Sequence, residues 1–180
     1  MIDKVSGDSM LIPWYQISVG DFLRIEDMEE IPADMIILGS SSSNGSLYVE
    51  THNIDGETNL KFRRHVAFPG ITSVFTQDVA TIDASNVNGT IRCETPNIHI
   101  HKFEGSLEAN SSETVPLSDV NLLLRGSRLR NTHHVYGVVI YAGNETKIQM
   151  NSLARPSKLS VIDSCVNWSL VVIFVFQAFL

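Results

Sequence analysis

The sequence predicts a mostly β domain followed by one apolar helix. Three observations carry that expectation. Short apolar segments rich in β-formers recur between residues 22 and 142, separated by tracts of Gly, Ser, Asn and acidic residues that favour turns. The longest of them, residues 135–142 (VYGVVIYA), is continuous and β-branched, the pattern of a strand buried on both faces. Residues 166–180 read VNWSLVVIFVFQAFL and contain no charged side chain.

In chain order, residues 22–25 (FLRI) and 35–38 (MIIL) read as strands. The acidic stretch Glu26-Asp27-Met28-Glu29-Glu30 turns the chain between them. Pro32 closes that turn, because its fixed φ and missing N–H suit the start of a strand rather than its middle. Residues 39–46 (GSSSSNGS) are a turn by composition, and residues 47–51 (LYVET) a further strand. Periodicity leaves residues 66–90 open between a helix and a loose insertion. Strand-like segments return at 90–94 and 98–103, before the long run at 135–142. Residues 155–158 (RPSK) then lead toward the apolar end.

A membrane span needs roughly 20 apolar residues, so residues 166–180 are too few as they stand. The run is nevertheless apolar on every face, with Trp168 near one end, and reads as the start of a transmembrane helix. A buried helix of a soluble core is the alternative. Lys147, Arg155 and Lys158 precede the run and place that side in the cytoplasm. The expected organisation is a cytosolic β-rich domain at 1–150, a connecting segment at 151–165 and the membrane helix from 166. No internal repeat is visible.

Composition narrows the function. With 180 residues, 43% hydrophobic and 18% charged, the chain has the balance of a folded domain. A formal net charge of −7 argues against nucleic acid as a partner, since phosphate binding requires clustered Lys and Arg. Cys93 and Cys165 lie far apart without CxxC spacing, which speaks against a disulfide framework or a zinc site. His99 and His101 would share one face of a strand, but no third metal ligand accompanies them. His133-His134 reads as a polar loop tip. The Asn-x-Ser/Thr triplets at Asn44, Asn88, Asn110, Asn144 and Asn167 are chance matches if the domain is cytosolic. Met1 is not followed by a basic and then an apolar region, so no secretory signal is expected.

The informative stretch is residues 48–64, YVETHNIDGETNLKFRR. An Asp-Gly pair after a strand marks a tight turn. Gly56 lets the backbone approach another surface closely, while Glu57 and Thr58 project an acceptor and a hydroxyl from the tip. Taken alone, the tetrapeptide Asp55-Gly56-Glu57-Thr58 is more readily a solvated loop than a functional one.

Its neighbours add a resemblance. Val19-Gly20-Asp21, Ile31-Pro32-Ala33-Asp34 with MIILGSS, and the YVETHNIDGETNLK block occur in order. Cys93-Glu94-Thr95-Pro96-Asn97, Phe103-Glu104-Gly105-Ser106-Leu107 and NLLLRGSRLRNT (121–132) follow. Tyr136-Gly137-Val138-Val139 and Gly143-Asn144-Glu145-Thr146-Lys147 close the series. Together these resemble the actuator domain of type IV P-type ATPases, the phospholipid flippases, over about residues 11–180. Cation pumps of the same superfamily share the Pro-Ala-Asp region but carry Thr-Gly-Glu at the tip, so Asp-Gly-Glu-Thr points to the lipid branch.

The resemblance implies a distorted jelly roll or β-barrel with short helices. It implies that Glu57 positions water, as general base, for hydrolysis of an aspartyl phosphate. Gly56 would let the loop reach the phosphate, Asp55 and Thr58 would shape the turn, and Asn59 would brace it. Arg125 and Arg130 are candidate contacts with the phosphorylation domain. The intact pump would be a multi-pass membrane protein using ATP and Mg2+, with phospholipid as substrate and an accessory subunit as a further partner. It would couple rigid-body rotation of this domain to lipid movement. No Asp-Lys-Thr-Gly motif is present, so the isolated chain is expected to bind no ATP or Mg2+ and to be inactive. Asp34 is expected to serve structure at a strand start, Glu50 to support nearby backbone, and Trp14 to be core or a clamp. Two other readings stay open: an actuator domain from a cation pump, and a non-catalytic, membrane-tethered β-rich binding module.

Overall fold

The computed structural model describes residues 2–6, 8–42, 44–66, 89–109, 114–153 and 161–179. The undecided stretch within 66–90 falls mostly on residues 67–88, outside the described residues, as does the 155–158 lead-in.

Two strands built from unbroken apolar runs form the centre. In β4 (Asp34–Ser40) and β12 (His134–Tyr141) every residue is buried. They pair antiparallel, with Val138 opposite Ile36 and Val139 opposite Met35. On its other edge β12 pairs with β3 (Phe22–Glu26), where Gly137 faces Leu23. β1 (Ile2–Ser6) and β2 (Asp8–Ile12) extend the sheet beyond β3, and β10 (Leu122–Leu123) borders β4. The result is a six-stranded antiparallel sheet in the order β10-β4-β12-β3-β1-β2. Gly137 is required at the centre of β12. A Cβ there would lie 2.8 Å from the Ile36 carbonyl oxygen and closer still to the Met35 methyl.

Alternation along these central strands feeds two cores. Ile36, Leu38, Val138 and Ile140 face one side, against Phe103, Leu107 and Leu117. The latter two belong to a three-stranded sheet of β7 (Gly89–Cys93), β8 (Glu104–Ala109) and β9 (Thr114–Ser118). Met35, Ile37, Val135 and Val139 face the other side, against Leu47, Val49 and Leu129. Those three come from a second three-stranded sheet, β11-β5-β6, made by β5 (Ser46–Glu50), β6 (Lys61–Arg64) and β11 (Arg128–Arg130). Each such side chain taken from water stabilises the fold by about 1.5–3 kcal/mol. Both faces of β4 and β12 are covered, which is why these two strands carry almost no polar residues.

The expectation of a mostly β domain with few helices holds. The expected barrel or jelly-roll closure is not seen among the described residues. The three sheets are open, and the first and last strands of the central one do not pair with each other. Residues 98–103 are not a strand either. The Asn97 side chain accepts the His99 N–H at 3.0 Å and turns the chain, so His99 and His101 share no sheet face. β8 begins only at Glu104. His134 is buried at the start of β12, edge-on to Tyr136 with 5.3 Å between ring centres, rather than at a loop tip.

Helices are few. α1 is a single turn (His52–Asp55), α2 spans Lys147–Leu153, and α3 spans Val161–Ala178. The apolar C-terminal run is therefore helical, and its helix starts five residues earlier than expected. Its apolar side chains from Val166 to Phe176 are exposed, so it is not the buried helix of a soluble core. Among the described residues, no helix is long and apolar enough to cross a membrane. Lys147, taken from sequence as a basic flank of the apolar run, is fully buried and paired internally. It cannot act as a surface charge.

Candidate functional site

The site is built on the connection between β5 and β6. These strands pair antiparallel, with Tyr48 opposite Phe62 and Val49 opposite Lys61, so the ten residues between them form a projecting loop. Its first half coils into α1. The N–H groups of Ile54 and Asp55 both donate to the Thr51 carbonyl, at 2.8 and 3.1 Å. The Gly56 N–H donates to the His52 carbonyl at 3.0 Å. Gly56 then leaves the helical turn at φ 76°, a left-handed conformation that ends helices and suits glycine. A Cβ on Gly56 would meet nothing within 4 Å. Within the chain its role is conformational.

Asp55 holds the loop together. Its Oδ1 accepts the Glu57 N–H at 3.0 Å, and the Thr51 hydroxyl lies 3.1 Å from both carboxylate oxygens. The Lys61 ammonium pairs with Oδ2. Partial burial works to raise the Asp55 pKa. The Lys61, Glu57 and Thr51 hydrogen bonds outweigh it and hold the carboxyl below its ordinary value. Lys61 shifts the other way: desolvation opposes its charge, but Asp55 and Glu57 together raise its pKa.

Glu57 stands beyond this scaffold. Its side chain is 59% exposed, and its Oε2 lies 3.2 Å from Lys61 Nζ. Thr58 and Asn59 are exposed beside it. The side-chain contacts that hold the turn run from Asp55 to Thr51 and Lys61, neither of which the sequence singled out. The strand register was the signal available for Lys61: opposite Val49, it opens β6 and lies beside the returning turn.

The loop stands on a firm base. Ile54 packs against the core cluster, and its neighbours across a small cleft are Ile100 and Ile148. Arg63 in β6 donates to the Leu122 carbonyl at 3.1 Å, and Asn121 donates to the Arg64 carbonyl at 3.1 Å. Both contacts brace the β5–β6 ribbon against the central sheet.

Arg125 and Arg130 are engaged elsewhere. Arg125 Nη1 donates to the Gly143 carbonyl at 2.9 Å. Arg130 Nε donates to Glu50 at 2.8 Å, and that hydrogen bond lowers the Glu50 pKa. Glu50 thus holds an arginine rather than backbone. Among the described residues, neither arginine shares a hydrogen bond or ion pair with the Glu57 turn.

Asp34 does sit at a strand start as a structural group. Its Oδ1 accepts the Arg125 N–H at 2.8 Å and its Oδ2 the Lys147 N–H at 2.7 Å. Lys147 Nζ reaches Glu94 and Asn97, both at 2.8 Å, with the Phe103 and Tyr141 rings each 6.0 Å away. Trp14 lies in a short helical turn (Trp14–Gln16), partly exposed, lining a surface cleft with Tyr15, Pro32 and Arg125. Among the described residues, no group of three or more His, Cys, Asp or Glu is placed to hold a metal ion.

No protein-family model matches the chain. Curated proteins do. Phospholipid-transporting ATPase 6 of Arabidopsis thaliana is 42% identical over 173 residues, which is 96% of this chain and 13% of that protein. Phospholipid-transporting ATPase DRS2 of Saccharomyces cerevisiae is 39% identical over 161 residues, 89% of this chain and 11% of that protein. Phospholipid-transporting ATPase 10 of Arabidopsis thaliana is 41% identical over 161 residues, 89% of this chain and 13% of that protein. The chain therefore spans about an eighth of the length of these relatives. Nearly all of it matches one segment of them, in line with the resemblance read from the motifs.

Proposed function

We propose that this chain is the actuator segment of a phospholipid-translocating P-type ATPase, in which Glu57 promotes hydrolysis of an aspartyl phosphate on the pump's phosphorylation domain. The observation that carries the proposal is a carboxylate 59% exposed at the tip of a loop whose other carboxylate, Asp55, is turned inward onto Lys61. Such a group can meet a partner, yet is delivered by a backbone with few alternatives.

The chemistry follows from that presentation. Water attacks the phosphorus in line with the bond to the aspartyl oxygen. Glu57 accepts the proton that the attacking water loses. The phosphorus–oxygen bond breaks, and its electrons leave on the aspartate carboxylate, giving inorganic phosphate. Holding water and base in one geometry removes much of the entropic part of the barrier. The layered sheets behind the loop support a second task, transmitting domain rotation as a rigid body.

The rest belongs to the intact pump. ATP and Mg2+ would act on the phosphorylation side, and no step assigned to this chain passes through them. The pump would be an integral membrane protein with this domain in the cytosol, α3 leading into a membrane helix, and phospholipid as cargo. The phosphorylation domain would dock on the Glu57 side, with Arg125 and Arg130 as candidate contacts, and an accessory subunit would complete the assembly. Phosphoenzyme decay after a cold chase, measured in a phospholipid-transporting ATPase that carries this segment, tests the reading. Glu57→Gln should leave the phosphoenzyme long-lived, and decay at the unsubstituted rate would remove the assignment.

A further inference from the structure

A carboxylate carried to a phosphoryl group meets like charge. The Glu57 loop makes this worse, because Asp55 places a second carboxylate two residues away. Lys61 is the cation that faces both. Its Nζ pairs with Asp55 Oδ2 and lies 3.2 Å from Glu57 Oε2, and its side chain is only 20% exposed. The Asp55 side chain is 11% exposed, so the buried end of this three-member chain is the Asp55–Lys61 pair and the open end is Glu57. The pairing is set by fold as well as by charge: Lys61 opens β6 opposite Val49, and β6 is braced to the central sheet through Arg63.

We propose that Lys61 is a positioning residue, anchored on Asp55, that fixes the direction of the Glu57 carboxylate and offsets the loop's second negative charge. This rests on the hydrolytic reading of Glu57. Asp55 and the Thr51 hydroxyl already close the turn through the Glu57 N–H. A lysine serving the turn alone would need only Asp55. Its contact with Glu57 orients the one side chain the turn leaves free. Removing the ammonium leaves two carboxylates and no cation at the tip, which frees Glu57 to rotate and increases repulsion from the phosphoryl oxygens.

Two measurements test this. In the 180-residue chain, side-chain NMR couplings of Glu57 report its rotamers. Lys61→Met should average them while the Gly56 N–H stays hydrogen-bonded, and Lys61→Arg should restore them. Asp55→Asn provides a second route: it removes the charge that anchors Lys61, so the Glu57 rotamers should average there as well. Rotamers unchanged in Lys61→Met would overturn the proposal, and rotamers unchanged in Asp55→Asn would overturn the anchoring by Asp55. In a pump carrying the segment, Lys61→Met should slow phosphoenzyme decay by roughly 10-fold or more, with Lys61→Arg recovering most of the rate. Normal decay in Lys61→Met beside a stalled Glu57→Gln overturns the role of Lys61 alone. Normal decay in Glu57→Gln overturns the hydrolytic reading beneath it.

Discussion

The Asp34 junction and the Glu57 loop are made of the same parts and behave differently. Each has an aspartate that accepts backbone N–H and a lysine that bridges two side-chain partners. At the junction, Asp34 receives N–H groups 91 and 113 residues away, and Lys147 reaches Glu94 and Asn97 across 53 and 50 residues. Both side chains are buried there. In the loop, Asp55 draws its partners from residues 51, 57 and 61, and the outer end stands in water. Long-range pairing locks segments into a frame. Short-range pairing shapes a tip that keeps its form while projecting from that frame. Burial decides which role the same chemistry takes.

Perturbing the two regions in parallel should separate them. The largest loss is expected at Asp34→Ala, which strands the buried Lys147 N–H and the partly buried Arg125 N–H and should cost about 2–5 kcal/mol. Denaturant unfolding of the whole chain would register it. Lys147→Met should cost less, about 1–2 kcal/mol. The Phe103 and Tyr141 rings, 6.0 Å from its ammonium, tolerate methionine, and Glu94, with its side chain 31% exposed, can take up water instead. A Lys147→Met loss as large as that of Asp34→Ala would break the idea that Asp34 is the hub. In the loop, Gly56→Ala forces a Cβ into the left-handed region and should cost about 1 kcal/mol. Hydrogen exchange should show the opening confined to residues near 51–60.

Acid sharpens the contrast through opposite signs. Burial raises the Asp34 pKa above its ordinary 3.8 despite the N–H groups of Arg125 and Lys147. Its contribution is therefore fully present below pH 3.8 and declines as pH rises through the folded value. Asp55 is lowered, so its contribution is present above pH 3.8 and is lost as pH falls through its lower folded value. The stability difference between the unsubstituted chain and Asp55→Asn should shrink on acidification below pH 4. The corresponding difference for Asp34→Asn should not shrink. Parallel pH profiles for the two variants would contradict the contrast.

How far the sequence could be read follows the same division between local and distant causes. β4 and β12 were legible because a strand covered on both faces must be apolar throughout. The Glu57 motif was legible because its residues are contiguous. Residues 98–103 alternate apolar and polar like a strand, yet the Asn97 side chain bends them and no neighbouring strand pairs there. The turn at α1 is four residues long, too short to show a helical period. Lys147 looked like a membrane-flanking charge because the groups that allow its burial lie 50 or more residues away. Lys61 was overlooked for a related reason: only the β5–β6 register brings it back beside Asp55 and Glu57.

In the proposed mechanism the exposed carboxylate of Glu57 removes a proton from water at a phosphorylated aspartate. The most direct measurement is the decay of radiolabelled phosphoenzyme in a phospholipid-transporting ATPase carrying this segment with Glu57→Gln. Formation of the phosphoenzyme at the normal level followed by decay slowed at least 100-fold is the predicted result. Decay at the unsubstituted rate would contradict it.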